Sequence, residues 1–160
     1  MQKRIVVAID GPSGSGKSSV SRAVARRFDL AYLDTGAMYR AFAWWMLQGN
    51  SDVRSCPLAM STNPDVAEVL VGQVDVTHAI RGPEVTAAVS GIARNPEVRA
   101  VAVEKQRDLS AHEICMRGRE AFVGNVRGLD AAHHVQQLDG EMRCGAVARR
   151  AGGELAGMRL

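Results

Sequence analysis

Residues 5–18 read I-V-V-A-I-D-G-P-S-G-S-G-K-S, and this stretch decides the fold. The apolar run at residues 5–9 is typical of a short strand that is buried on both faces. The glycine-rich segment after it satisfies the pattern G-x-x-x-x-G-K-[ST] from Gly11 to Ser18. Apolar residues then recur at helical spacing to about residue 28. The loop therefore joins a strand to a helix, which is the context that the pattern requires.

This loop predicts a binding site for a nucleoside triphosphate. Its backbone N–H groups form a cradle for phosphate, and the positive end of the following helix faces the same anion. We predict that Lys17 reaches the β- and γ-phosphates and that the Ser18 hydroxyl ligates Mg²⁺. The loop alone does not distinguish a GTPase, an ATPase motor and a small-molecule kinase. The predicted ATP-binding residues are Gly11, Pro12, Ser13, Gly14, Ser15, Gly16, Lys17, Ser18 and Ser19.

The segments that follow predict an α/β fold with a parallel sheet, because strand and helix patterns alternate. A strand at residues 30–33 precedes a helix at residues 35–47, which ends at Gly49-Asn50. Apolar runs at residues 66–70 and 74–76 flank Gly72-Gln73 and predict a hairpin. Two helices follow and are divided at Asn95-Pro96-Glu97, where asparagine is a helix cap and proline the first helical residue. We expect one domain over residues 1–160.

Asp34 to Arg40, which reads D-T-G-A-M-Y-R, is the second stretch with chemical content. It follows a strand, and ligands of open α/β sheets bind at the carboxyl ends of the strands. A carboxylate, a hydroxyl and an arginine at that place are able to hold a phosphorylated second substrate. The alternative interpretation is that Asp34 or Thr35 caps the helix and that Arg40 is solvated. The residues alone leave both interpretations open.

Composition argues against several classes of protein. The net charge of +3 comes without a basic run, which argues against a nucleic-acid partner. No apolar run approaches the ~20 residues of a membrane span, and no signal peptide is evident. Three unevenly spaced cysteines predict free thiols, no zinc site and a reducing cytoplasm. We therefore expect a cytoplasmic protein, and we expect it to be a monomer.

The two stretches together resemble bacterial cytidylate kinases. Residues 9–18 and 33–40 match that family's phosphate loop and its L-D-T-G-A-M-Y-R motif. Residues 75–85, 87–90, 95–99 and 106–107 resemble later family segments, so the resemblance covers about residues 4–110. It implies a P-loop NTPase-type parallel sheet with flanking helices and a small nucleotide-binding insert at about residues 51–95. It also implies transfer of the γ-phosphoryl group of ATP, with Mg²⁺, to CMP or dCMP.

The resemblance assigns roles residue by residue. Lys17 and Arg40 are implied to be catalytic, and Thr35 and Arg40 to hold the CMP phosphate. Ser90 and Arg99 match the family's base-recognising serine and arginine. The full set of implied CMP-binding residues is Asp34, Thr35, Tyr39, Arg40, Ser90 and Arg99.

Residues 111–160 depart from the family pattern. They contain no proline, threonine or lysine and only five β-branched residues, so we expect helices there and not buried strands. The family continues with a strand that ends in G-R-D-x-G-T-x-V, and Gly118-Arg119-Glu120 resembles only the first three residues of that motif. The family also has an arginine-rich lid, but Arg149-Arg150 is better explained as part of a generic arginine-rich tail. We expect an atypical or truncated C-terminal part, from a shifted reading frame or from divergence, and a chain that is unstable or nearly inactive.

Two other functions stay open at this point. The first is another small P-loop kinase that acts on shikimate or on a different nucleotide. The second is a nucleotide-binding remnant without turnover. A screen of phosphate acceptors discriminates the first from cytidylate kinase, and ATP binding without turnover favours the second.

Overall fold

The computed structural model describes residues 5–10, 16–109, 114–117, 131–138, 141–148 and 156–159. The strands are β1 (Ile5–Asp10), β2 (Ala31–Asp34), β3 (Leu58–Met60), β4 (Val69–Val71), β5 (Val74–Asp75), β6 (Ile114–Arg117), β7 (Ala131–Leu138), β8 (Glu141–Ala148) and β9 (Ala156–Arg159). The helices are α1 (Lys17–Phe28), α2 (Thr35–Leu47), α3 (Pro83–Ile92) and α4 (Pro96–Leu109), with a 3₁₀ turn at Ala79–Arg81.

The main sheet has six strands in the order β2-β6-β1-β7-β8-β9. Strands β2, β6, β1 and β7 are parallel, and β8 and β9 continue the sheet in antiparallel pairs. Helix α1 connects β1 to β2, and these two strands lie on either side of β6. The predicted α/β fold with a parallel sheet is therefore confirmed.

A second sheet of three short antiparallel strands lies within residues 51–95. The predicted hairpin is β4 and β5, and Gly72 at the turn has a φ of 62°, a left-handed conformation that favours glycine. We did not predict β3, which pairs with β4 from Leu58↔Val71 to Met60↔Val69. Its three residues are too few to establish an alternating pattern, so only the pairing with β4 identifies the strand.

The helix boundaries follow the local signals. Asn95 caps α4, because its side-chain oxygen accepts the Glu97 N–H at 2.9 Å and its carbonyl accepts the Arg99 N–H at 3.1 Å. Helix α2 is followed by Gly49 at a φ of 89°, and the Asn50 side chain donates to the Trp45 carbonyl at 3.0 Å. These capping predictions are confirmed.

The larger core lies between α2, the small sheet and the helices α3 and α4. Phe42 and Met38 on α2 are fully buried there, beside Val71 of β4 and Val98 of α4. A smaller core beneath α1 consists of Val7, Ile9, Ala25, Leu30 and Tyr32. Within the described ranges, no helix is both long and apolar enough to cross a bilayer.

The expectation of helices in residues 111–160 is wrong for the described residues of that segment, which all lie in strands. Strand β6 pairs with both β1 and β2, and β7 occupies the other edge of β1. The physical reason is that strand propensity depends on the partners available, and β1 offers two edges of unpaired backbone groups. Gly118-Arg119-Glu120 and Arg149-Arg150 lie outside the described residues.

Candidate active site

The donor end of the candidate site lies where α1 begins. Gly16 precedes the helix with a φ of 80°, a left-handed conformation that a residue with a side chain rarely adopts. Lys17 and Ser18 are the first two helical residues and are half-buried, whereas Ser19 is exposed. The first turn carries no acidic residue, and Arg26 and Arg27 lie in the last turn. This charge distribution leaves the positive N-terminal end of α1 available to an anion.

Five of the predicted ATP-binding residues, Gly11, Pro12, Ser13, Gly14 and Ser15, lie outside the described residues. The structure describes the strand before them and the helix after them, and both are in the predicted places. The structure therefore describes only the last part of the predicted phosphate loop, which includes Gly16, Lys17 and Ser18. Their roles toward ATP stay predictions.

The acceptor end is the junction of β2 and α2. Strand β2 ends at Asp34 and α2 begins at Thr35, with no loop between them. Asp34 is buried, and its Oδ1 accepts the Ala37 N–H at 3.0 Å. Asp34 is thus the N-cap of α2, as one of our two interpretations held. Thr35 is also buried, at the first position of the helix.

Arg40 is not a fully solvated charge, which is what the capping interpretation expected of it. Its side chain is half-buried, and Nη1 donates to the Ile80 carbonyl at 3.2 Å and to Thr86 Oγ1 at 2.9 Å. Ile80 belongs to the 3₁₀ turn and Thr86 to α3. The guanidinium of Arg40 is therefore held by two residues of the insert.

The register of the main sheet places the carboxyl ends of β1 and β2 at the same height along the strands. In β6, Arg117 pairs with Ile9 of β1 on one side and with Asp34 of β2 on the other. Because β1 and β2 are parallel and one strand apart, their carboxyl ends lie about 10 Å from each other, two strand spacings. Phosphate groups bound at α1 and at the start of α2 would thus face the same edge of the sheet.

The remaining predicted residues lie in two different environments. Tyr39 is buried in the larger core. Ser90 on α3 and Arg99 on α4 are exposed. Ser90 follows Thr86 by one helical turn, so both side chains lie on one side of α3. The roles of Tyr39, Ser90 and Arg99 toward a nucleotide stay predictions.

Besides the contacts of Arg40 with the insert, side chains of α1 also contact the insert. The sequence did not reveal these contacts. Arg22 Nη1 donates to the Pro64 carbonyl at 2.5 Å, and its guanidinium lies 4.8 Å from the centre of the Tyr32 ring. Arg26 Nε donates to Asp65 Oδ1 at 2.7 Å. The Tyr32 N–H donates to the Thr62 carbonyl at 2.7 Å, so the loop before β4 covers the outer edge of β2. No periodic pattern signals contacts between residues so far apart in the chain.

Two titratable groups of the described residues have shifted pKa values. Burial raises the pKa of the Cys56 thiol to about 11, against a smaller lowering by the charge of Lys105. The predicted free thiol is therefore confirmed for Cys56, and it stays protonated at neutral pH. Hydrogen bonds from the Thr77 side chain and backbone hold the pKa of the exposed Asp75 below its usual value. Neither group lies among the predicted site residues.

The chain's residues fit one role for a divalent metal. The described residues contain no group of three or more histidine, cysteine, aspartate or glutamate side chains that could hold a metal ion. Mg²⁺ bound with a nucleotide takes most of its ligands from phosphates and water and needs only one or two from protein. The Ser18 hydroxyl, at the N-terminal end of α1, fits that requirement.

Comparison with known proteins identifies the family. The cytidylate kinase family profile matches residues 7–126, which include both strand ends and the insert. The chain belongs to the cytidylate kinase family. The match continues past residue 110, where we placed the limit of the resemblance, and it includes β6. The cytidylate kinase pattern therefore extends further into the chain than its motifs alone indicated.

Three curated relatives agree with this assignment. Proteins named cytidylate kinase from Corynebacterium efficiens and Corynebacterium glutamicum are 45% and 47% identical to the chain over 139 residues, which are 79% of this chain and 60% of either relative. One from Streptomyces avermitilis is 42% identical over 130 residues, 72% of this chain and 56% of the relative. The chain thus spans somewhat more than half the length of these cytidylate kinases.

Proposed function

We propose that this chain transfers the γ-phosphoryl group of ATP to CMP or dCMP and forms CDP or dCDP. The observation that carries the proposal is the family match over residues 7–126, with relatives that are themselves named cytidylate kinase. The placement of Ile9 and Asp34 at one level of the sheet supports it, because phosphoryl transfer requires two substrates side by side.

The donor residues act by position and charge. Lys17 and the amides at the start of α1 bind the phosphates of ATP, with Gly16 providing the turn into the helix. The Ser18 hydroxyl would hold Mg²⁺, which when bound neutralises charge on the phosphates. Together with the other predicted residues from Gly11 to Ser19, these residues form the proposed ATP site.

The acceptor residues orient the monophosphate. Arg40 binds its phosphate through the guanidinium, and Thr35 and Asp34 line the same strand end. Ser90 and Arg99, on the exposed surfaces of α3 and α4, bind the cytosine, and Tyr39 lines the site from the core side. No side-chain nucleophile is required, since an oxygen of the CMP phosphate attacks the γ-phosphorus and ADP leaves. We further propose a monomeric, cytoplasmic enzyme that uses ATP and CMP or dCMP.

The test is a coupled assay of ADP release with the purified 160-residue chain. Acceptors are CMP, dCMP, UMP, AMP and shikimate, each with ATP and Mg²⁺. We expect turnover with CMP and dCMP well above that with the other three. A Lys17→Met variant purified in the same way measures the contribution of contaminating host kinases.

Each alternative has its own outcome in this assay. Preferential turnover of UMP, AMP or shikimate would replace the proposal with another small P-loop kinase. ATP binding without turnover of any acceptor would favour the nucleotide-binding remnant. A CMP-dependent rate far below that of the Corynebacterium efficiens relative, measured in parallel, would agree with the low activity expected from residues 111–160.

A further inference from the structure

We propose that Thr86 is a positioning residue for the acceptor phosphate, acting through the guanidinium of Arg40. The inference rests on the proposed function, because it concerns how Arg40 is prepared for the phosphate of CMP. It goes beyond that function in assigning a role to a residue of the insert that no motif singles out. Thr86 is forty-six residues from Arg40 in the chain, yet the two side chains are hydrogen-bonded at 2.9 Å.

The geometry of the guanidinium carries the argument. Both hydrogen bonds of Arg40 run from Nη1, one to Thr86 Oγ1 and one to the Ile80 carbonyl at 3.2 Å. Within the described part of the chain, Nε and Nη2 make no hydrogen bond. These two atoms form one edge of the planar guanidinium, and such an edge binds a phosphate through two parallel hydrogen bonds. Contacts at Nη1 thus orient Arg40 without occupying that edge.

The partners of Nη1 are themselves held in place. Ile80 is fully buried, and its N–H donates to the Val76 carbonyl at 2.9 Å. Helix α3 begins with Pro83 and is anchored by Val85, which is buried. A hydroxyl on such a helix fixes the rotation of a long arginine side chain before the substrate arrives. Binding then loses less side-chain freedom, which is how preorganisation raises affinity.

Thr86 also connects the two parts of the acceptor site. It lies one helical turn before Ser90 on α3, the residue proposed to bind the base. A single rigid helix therefore presents one hydroxyl to the base and one to the arginine that binds the phosphate. Threonine at position 86 would help set the distance between base and phosphate that the site accepts.

The experiment compares Thr86→Val with Thr86→Ser. Valine keeps the shape of threonine but removes the hydroxyl, whereas serine keeps the hydroxyl. We expect Thr86→Val to raise the KM for CMP about tenfold, from the loss of one hydrogen bond to a charged group, with a much smaller change in kcat. We expect Thr86→Ser to stay within about twofold of the unchanged chain. The affinity for ATP should be the same in all three proteins.

Direct binding supplements the kinetics. Isothermal titration calorimetry measures the binding of CMP without a need for turnover. Titration with CMP therefore gives a dissociation constant even where turnover is slow. If Thr86→Val does not fold, Thr86→Ala is measured in its place.

Thr77→Val is the matched control for loosening of the insert. Thr77 Oγ1 accepts the Val69 N–H at 2.9 Å, so this variant removes a threonine hydroxyl with a structural partner. We expect it to lower the Tm and to leave the affinity for CMP within about twofold. An equal loss of CMP affinity in Thr77→Val and Thr86→Val would overturn the proposal, since general loosening would explain both.

A double-mutant cycle with Arg40→Lys tests whether Thr86 acts through Arg40. We expect Thr86→Val to have little further effect on CMP affinity once Arg40 is replaced. A full tenfold loss in the Arg40→Lys background, or unchanged CMP binding in Thr86→Val alone, would overturn the inference and leave the proposed function intact. If the unchanged chain neither binds nor phosphorylates CMP, the proposed function fails and the inference fails with it.

Discussion

The donor segment (β1 and α1) and the acceptor segment (β2, α2 and the insert) are built in different ways. The donor segment rests on the smaller core, and α1 ends with Phe28 largely exposed. The acceptor segment contains the larger core, in which α2 packs against the small sheet, α3 and α4. The residues that we propose bind ATP are thus consecutive in the chain, whereas those that we propose bind CMP are brought together by packing between distant segments.

The largest effect on stability should come from the core of the acceptor segment. Phe42 is fully buried, so we expect Phe42→Ala to lower the free energy of unfolding by about 3–5 kcal/mol. Phe28 is 65% exposed, and Phe28→Ala should change it by less than about 0.5 kcal/mol. Denaturant unfolding of both variants measures the contrast. Equal losses would mean that Phe28 is covered in solution and that the donor segment is more tightly packed than its exposure indicates.

The next prediction distinguishes the two segments by the nucleotide that each is proposed to bind. Lys17→Met should reduce kcat about 100- to 1000-fold, because it removes the charge that we propose stabilises the transferring phosphoryl group, and should leave CMP binding unchanged. Arg40→Met should instead weaken CMP binding at least about tenfold and leave ATP binding unchanged. The coupled assay measures the change in kcat, and titration of each variant with each nucleotide measures the changes in binding. Weaker binding of both ATP and CMP by either variant would contradict the assignment of ATP to the donor segment and CMP to the acceptor segment.

A smaller effect tests the double role of Asp34. Asp34→Ala removes the cap of α2 and should cost about 1 kcal/mol of stability, whereas Asp34→Asn caps the helix about as well and should cost a few tenths. If Asp34 also lines the acceptor site, the asparagine variant keeps the Tm but loses about tenfold in kcat/KM for CMP. Unchanged turnover in Asp34→Asn would restrict Asp34 to capping.

The smallest effect concerns the connection between the segments. The ion pair of Arg26 with Asp65 is about half exposed on both sides, so Asp65→Asn should cost only about 0.2–1 kcal/mol, and less at high salt. Thermal unfolding at low and high ionic strength checks both statements. A loss well above this range would indicate that the two segments unfold as one tightly coupled unit.

Much of the fold followed from local patterns in the sequence. The alternation of residues 5–47, the cap at Asn95 and the turn at Gly72 are each properties of neighbouring residues, and each was confirmed. The structure also selected Asp34 as the cap of α2, an interpretation that the sequence had left open. Strand β3 and strands β6 to β9 were not predicted, because a strand exists only through hydrogen bonds to a partner elsewhere in the chain. The partners of Arg40 were missed for the same reason.

The sequence alone determined the strand and the helix of the donor segment and predicted the phosphate loop between them, since residues 5–28 contain the strand, the glycines, Lys17 and Ser18 within a single continuous stretch. It also identified the family through the short motif at residues 33–40. Only the tertiary structure decided that Asp34 and the end of β1 lie at one level and that Thr86 holds Arg40. The physical reason is distance: local patterns set backbone conformation over a few residues, whereas contacts between remote segments are set by how sheets pair and cores pack.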